Sequence, residues 1–244
     1  MTTVLKLGGS VITEKGDPET VDAEALEAAA DVVAGHGDLV LVHGGGSFGH
    51  PAAERHGVSV TTGTTDSAAV RDIHGAMARL NEHVVGALAD AGAPAVPVHP
   101  LSLASRDSEG ELTLPTNAVS GLLDQGFLPV LHGDSVVHAD AGVTVLSGDE
   151  LVVSLAEGLD AERAGLCSTV PGVLDSSGEV VPEIRAFEDV AGVLGGSDAT
   201  DVTGGMAGKV RALLELDAPA TVFGPEALAG FLAGERVGTR IGHI

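Results

Sequence analysis

Short apolar runs alternate with amphipathic stretches along most of the chain. Runs typical of buried strands occupy 3–7, 38–42, 93–100, 127–134, 163–169 and 219–224. Between them, apolar residues recur at helical spacing in 22–37, 66–92, 118–126, 149–159 and 204–216. Turn residues at 101–114, 134–146 and 172–181 predict three hairpins. This order predicts one α/β unit, an αβα sandwich around a largely parallel central sheet with β-hairpin decorations.

The composition narrows the classes of protein. With 244 residues, 44% of them apolar, the chain can bury a large core. It has no apolar run long enough to span a bilayer and no segment typical of a signal peptide, so we expect a cytoplasmic protein. A net charge of −23 repels nucleic acid and anionic membranes, and it predicts an acid-rich, halophilic surface. The histidines show no spacing typical of a metal site.

Lysine is almost absent, and the lysines that remain lie beside glycines. There are three, Lys6 in VLKLGGS, Lys15 in VITEKGD and Lys209 in TGGMAGK. In so acidic a chain, phosphate binding requires local positive charge. Phosphoryl transfer depends mainly on positioning and charge neutralisation, which lysines beside glycine turns supply. These three residues are therefore candidates for a phosphate site.

The segment HGGGSFGH (43–50) is the richest in glycine, and it follows a predicted buried strand. It satisfies G-x-G-x-x-G, but no second strand ending in an acidic residue follows about 20 residues later, as a dinucleotide site requires. A P-loop is absent too, because Thr203 and Val210 stand where the motif needs glycine and Ser or Thr. Glycine turns instead let backbone N–H groups converge on an anion.

Five segments, KLGGSVIT, LVHGGGSFGH, PVLHGD, LSGDE and TGGMAGK, occur in this order over nearly the whole chain. Together they resemble the amino acid kinase superfamily. The histidine that ends GGGSFGH, with Lys15 after VITE, resembles the isopentenyl phosphate kinases of archaea. The resemblance implies ATP-dependent phosphorylation of isopentenyl phosphate to isopentenyl diphosphate. It also implies Mg²⁺ carried with the ATP, a homodimer, and two lobes, an acceptor lobe (about 1–145) and a nucleotide lobe (about 146–244).

The resemblance also implies roles for individual residues. The implied catalytic residues are Lys6, His50, Asp149 and Lys209. Those implied to bind ATP are Lys6, Gly8, Gly9, Ser10, Lys15, Gly46, Thr169, Gly205 and Lys209. Those implied to bind the acceptor are Gly45, His50, Gly148, Ile73 and Met77, with no metal held by the protein itself.

Several alternatives stay open at the level of sequence. Thr169 and Pro171 replace acidic residues found in many relatives, which puts the adenosine contacts in doubt. Asp149 fits the N-cap of a helix over 150–159 as well as a role in orienting the lysines. A histidine at position 50 also fits a fosfomycin-type phosphonate kinase. A non-catalytic binding or sensor protein on the same fold is the alternative from another class.

Overall fold

The computed structural model describes residues 2–194 and 205–242. Within these ranges the strands are β1 (Thr3–Leu7), β2 (Leu39–His43), β3 (Ala95–Pro97), β4 (Ser105–Arg106), β5 (Leu112–Thr113), β6 (Leu128–His132), β7 (Asp134–His138), β8 (Gly142–Leu146), β9 (Arg163–Cys167), β10 (Glu183–Ile184), β11 (Ala220–Phe223) and β12 (Thr239–Ile241). The helices are α1 (Gly9–Ile12), α2 (Ala23–Ala34), α3 (Gly46–Arg55), α4 (Ser67–Asp90), α5 (Asn117–Asp124), α6 (Gly148–Gly158), α7 (Ala191–Leu194), α8 (Gly205–Leu214) and α9 (Leu228–Leu232).

Eight strands form the main sheet, in the order β10-β12-β11-β9-β1-β2-β6-β3. Its pairs are parallel except β11 with β12. A second sheet, β5-β4-β7-β8, contains the predicted hairpins at 101–114 and 134–146. The third predicted hairpin is reduced to one bridge, between Leu174 and Val180. The α/β class and the largely parallel sheet predicted from sequence are confirmed.

Alternation along the central strands separates two apolar layers. Leu5 and Leu41 face the layer formed with α2, α3 and α4, whereas Val4 and Val40 face the layer formed with α5, α6 and α8. Lys6 follows the same alternation, so its side chain lies on the α6 side of β1. The strand pattern therefore directs this lysine toward the beginning of α6.

The first residues of α2 and α4 lie close to where the sequence predicted these helices to begin. Asp22 and Asp66 cap α2 and α4 by accepting hydrogen bonds from Ala25 N and Ala68 N. Helix α3, by contrast, was not predicted as a helix, and β10, β12 and α9 were not predicted either. The predicted helix at 204–216 corresponds to α8, and its first residue lies outside the described residues.

Both predicted lobes supply strands to the main sheet. β1, β2, β3 and β6 come from the first, and β9 to β12 come from the second. The division into an acceptor lobe and a nucleotide lobe stays a prediction. Among the described residues, no helix is long and apolar enough to cross a membrane.

Candidate active site

A cavity of about 260 Å³ opens at the carboxyl ends of β1, β2, β6 and β9. Open α/β sheets bind their ligands at this edge, because the loops that leave neighbouring strands meet there. Twelve residues predicted from sequence line the cavity: Lys6, Gly8, Gly9, Ser10, Gly45, His50, Ile73, Met77, Gly148, Asp149, Thr169 and Lys209. Gly44, a member of the same glycine motif that was not singled out, lines it too.

The two glycine turns touch each other through their backbones. A β-carbon on Gly44 would lie 2.6 Å from Gly9 N, and one on Gly9 would collide with Gly46 N. Gly46 also has φ +48°, a left-handed conformation that favours glycine. Thr13 holds the turns together, since its hydroxyl donates to Gly9 O at 2.8 Å and accepts from Ser47 N at 3.0 Å. Glycine at these positions lets both loops present backbone groups to one small space.

Asp149 joins the two cavity lysines. Its Oδ1 lies 2.5 Å from Lys6 Nζ, and its Oδ2 lies 3.2 Å from Lys209 Nζ. Burial alone would raise the pKa of the Asp149 carboxyl, but the two lysines outweigh burial and hold that pKa below its usual value. The carboxylate therefore stays ionised and keeps two ammonium groups aimed at the same part of the cavity.

The N-cap prediction for Asp149 is wrong. Ser147 is the N-cap of α6: its hydroxyl accepts from Glu150 N, and the Glu150 carboxylate accepts from Ser147 N in return. This capping box leaves the Asp149 side chain available for the lysines.

His50 lies in the first half of α3, and its side chain is exposed at the cavity. Pro51, the next residue, has no N–H to donate to Ser47 O. That carbonyl instead accepts a hydrogen bond from Glu19 N at 3.0 Å. This hydrogen bond from Glu19 ties the loop that carries Lys15 to the helix that carries His50.

Not every predicted residue lines the main cavity. Lys15 and Gly46 line a neighbouring cavity of about 380 Å³, which shares Ser10 and His50 with the main one. Gly205 begins α8, one turn before Lys209, and does not line either cavity. Lys15 is exposed on its loop.

Apolar residues form one side of the main cavity. They are Val11, Ala53, Ile73, Met77, Val145 and Leu146. Gly49 allows α3 and α4 to approach closely here, because a β-carbon on Gly49 would lie 2.5 Å from Met77 Sδ. The cavity thus combines a cationic, amide-rich part with an aliphatic part.

A cluster of four histidines behind the cavity was missed by sequence reasoning, since its members come from four separate segments. His43 is fully buried, with Nε2 near Asn81 Oδ1 (3.1 Å) and Nδ1 near Gly44 O (3.2 Å). Burial, reinforced by nearby His132, lowers the pKa of His43 to about 3. The cluster therefore holds a neutral imidazole against the carbonyl of Gly44.

The other three histidines form hydrogen bonds at the end of β6. His132 Nδ1 donates to Gly133 O (2.9 Å), so its neutral Nε2 accepts from His99 Nδ1 at 2.9 Å. Burial lowers the pKa of His132. His74 lies 2.9 Å from the Asp134 carboxylate, which raises the pKa of His74. These contacts fix the junction between β6 and β7, where Gly133 and Asp134 line the cavity.

Among the described residues, no three His, Cys, Asp or Glu side chains form a group that could hold a metal ion. The acidic residue nearest the cavity lysines is Asp149, and both of its oxygens are engaged by them.

Comparison with known proteins gives consistent results. The model of the amino acid kinase family matches residues 1–216. The isopentenyl phosphate kinase of Haloferax volcanii is 61% identical over 241 residues, which cover 98% of this chain and 97% of that protein. The isopentenyl phosphate kinase of Methanothermobacter thermautotrophicus is 35% identical and covers 87% of this chain and 86% of its own length. An X-ray structure of an isopentenyl phosphate kinase superposes with a TM-score of 0.80 at 28% identity, covering 99% of this chain and 100% of that one.

Proposed function

The chain belongs to the amino acid kinase family, and on that premise we propose that it transfers the γ-phosphoryl group of ATP to isopentenyl phosphate. The products are isopentenyl diphosphate and ADP. The observation that carries the proposal is the pair of lysines joined by Asp149 in a cavity that also contains His50 and an aliphatic wall. The phosphonate-kinase and sensor alternatives have no support from the relatives.

In this reaction an oxygen of the acceptor's phosphate attacks the γ-phosphorus of ATP, and the bond from that phosphorus to the β,γ-bridging oxygen breaks. The acceptor oxygen is already anionic near neutral pH, so no general base is required. Lys6 and Lys209 stabilise negative charge on the transferring group, where it is greatest in the transition state. Asp149 keeps both lysines in place while they do so.

The acceptor's phosphate needs donors of its own. We assign this role to the backbone N–H groups of the glycine turn at Gly45 and to His50, which lines the same cavity. His50 then acts as a positioning donor and not as a base. The aliphatic residues of the wall, including Ile73 and Met77, suit a short branched hydrocarbon tail better than a sugar or a base.

The nucleotide's phosphates are assigned to the other glycine turn. Gly8, Gly9 and Ser10 line the cavity together with Thr169 and Lys209. Mg²⁺ enters as part of the MgATP substrate and neutralises phosphate charge. We also assign Lys15, which is exposed on a loop beside this region, to the ATP phosphates.

The deciding experiment compares kcat/KM for isopentenyl phosphate, dimethylallyl phosphate, fosfomycin and UMP with MgATP. We expect isopentenyl phosphate to be preferred. If fosfomycin or UMP is preferred by tenfold or more, which corresponds to about 1.4 kcal/mol of transition-state stabilisation, the acceptor assignment is wrong although the kinase assignment survives.

His50 variants test its role separately. His50→Ala should greatly reduce kcat/KM for isopentenyl phosphate, whereas His50→Asn or His50→Gln should retain part of it by restoring an N–H donor. A general base would not be replaced by an amide. Equal loss in all three variants would contradict the positioning role.

Three further features extend the proposal. We propose a surface adapted to high salt, supported by 35 acidic against 12 basic residues. We also propose a homodimer, on the resemblance to the family alone, and sedimentation equilibrium tests it. A cytoplasmic location stays a prediction from the sequence.

A further inference from the structure

Arg106 lies in the hairpin that the sequence marked only as a decoration of the fold. It is the second residue of β4 and is buried, with 6% of its side chain exposed. Its Nη2 donates to Glu150 Oε1 at 2.6 Å, and its Nη1 donates to Gly110 O at 3.1 Å. One guanidinium therefore links the turn of the hairpin to the first turn of α6.

Glu150 connects this contact to the start of the helix. Its other oxygen, Oε2, accepts from Ser147 N at 3.0 Å, while Ser147 Oγ accepts from Glu150 N at 3.2 Å. The carboxylate that holds Arg106 is thus the carboxylate that completes the capping box. Asp149, which holds the two cavity lysines, is the residue immediately before it.

The placement of Arg106 is electrostatically unusual. The amino-terminal end of a helix carries partial positive charge, so a cation beside it is unfavourable unless an acid intervenes. The pair with Glu150 is only partly buried, since 31% of the Glu150 side chain is exposed, and such pairs add little net stability. Among the described residues, Arg106 Nε is also buried without a hydrogen-bond partner. The arrangement therefore fixes the position of the hairpin against α6 more than it stabilises the fold.

The hairpin and α6 are also joined through the strands that border the cavity. Arg106 pairs with His138 at the end of β7, and β7 pairs along its length with β8. β8 ends at Leu146, directly before the Ser147 cap. The contact from Arg106 to Glu150 joins the two ends of this series of elements, and Arg106 itself does not line the cavity.

We propose that Arg106 is a positioning residue for phosphoryl transfer. Acting through Glu150, it fixes the first turn of α6 against the hairpin. It thereby sets the direction of the Asp149 carboxylate and, with it, the positions of the two lysine ammonium groups. The inference rests on the proposed kinase function, since its effect is measured as turnover.

The first test is Arg106→Met. We expect kcat to fall about 10- to 100-fold, because small misplacements of catalytic groups are that costly. KM for ATP and for isopentenyl phosphate should stay within about threefold, because Arg106 touches neither cavity. Arg106→Lys should recover part of kcat, since it restores the charge opposite Glu150 but not the fork geometry.

Arg185→Met is the matched control. It removes the same charge from an exposed pair with Glu183 near the far edge of the main sheet. Its kcat should be unchanged. If Arg106→Met, folded at the assay temperature, keeps a kcat within twofold of this control, the inference is overturned.

A second measurement keeps the test decisive where Arg106→Met fails to fold. The variants Arg106→Lys, Glu150→Gln and the double variant are compared, with thermal melts recorded beside kcat. If Arg106 acts through Glu150, the double variant should lose no more kcat than the worse single variant. Losses that multiply would overturn the inference. An inactive wild-type protein would instead refute the proposed function, so the two failures are distinguishable.

Discussion

Asp149→Asn tests the central electrostatic feature of the cavity. The substitution keeps the shape of the side chain but removes the charge that lies 2.5 Å from Lys6 Nζ and 3.2 Å from Lys209 Nζ. At an effective dielectric constant of about 20, opposite unit charges 4 Å apart attract by about 4 kcal/mol, so each lysine loses several kcal/mol of orienting interaction. Two groups that stabilise the transferring phosphoryl would then be misplaced together.

The expected effects on turnover and on binding differ in direction. Loss of one well-placed charge stabiliser costs about 10²–10³ in rate, so kcat should fall at least that far. ATP affinity should be unchanged or higher, because the cavity becomes more positive when the carboxylate charge is removed. Single-turnover kinetics with a separate measurement of the ATP Kd resolves the two effects.

A matched control removes an equal charge from the same helix. Glu157 is exposed near the end of α6, and Glu157→Gln should leave kcat and the ATP Kd unchanged. The reasoning is refuted if Asp149→Asn keeps kcat within fivefold of the wild type. It is refuted equally if the loss arises from ATP affinity weakened more than tenfold.

Three other predictions concern the cavity lysines, the surface charge and His43. Lys6→Ala and Lys209→Ala should each lower kcat about 10²–10³-fold with little loss of nucleotide binding, and near-normal turnover would exclude the assigned role. Thermal melts should show a melting temperature that rises with KCl, because molar salt shortens the screening length to about 3 Å; indifference to salt would contradict the halophilic surface. Below pH 6.5 the unfolded chain protonates His43 whereas the folded protein does not until about pH 3, so this residue lowers the stability as pH falls through that window. The contribution is about 2 kcal/mol between pH 6.5 and 5, and urea unfolding at several pH values measures it. The free energy of unfolding of His43→Gln should depend less on pH, and an unchanged pH dependence would contradict this prediction.

Much of the fold was predictable because strands and helices follow from the pattern of apolar and polar residues within short segments. The strand over 3–7 and the long helix over 66–92 were placed within about two residues, since periodicity and capping residues act over one or two turns. Helix α3 was missed because three of its first five residues are Gly46, Gly49 and His50, which have modest or poor helix propensity. Packing of Phe48 and Ala52 against the core stabilises it instead.

Candidate residues were predictable where glycine and lysine stood out against an acidic, lysine-poor chain. Lys6 and Lys209 were singled out in this way, whereas Asp149 was implied only by the resemblance to the amino acid kinases, and the cavity contains all three. The position of Lys15 in a neighbouring cavity was not predictable, because it depends on how the loop after Thr13 packs on α3.

The sequence by itself determined the alternation of strands and helices, the charge, and which short motifs carry cationic or glycine-rich chemistry. These are properties of neighbouring residues, and they need no partner elsewhere in the chain. The tertiary structure alone decided that Lys6 meets Asp149 across 143 positions of sequence, and that four scattered histidines lie together behind the cavity. It also decided that Arg106 lies against Glu150. Such contacts depend on strand order and on the packing of helices across the sheet, which are set by burial of the whole core and not by any local segment.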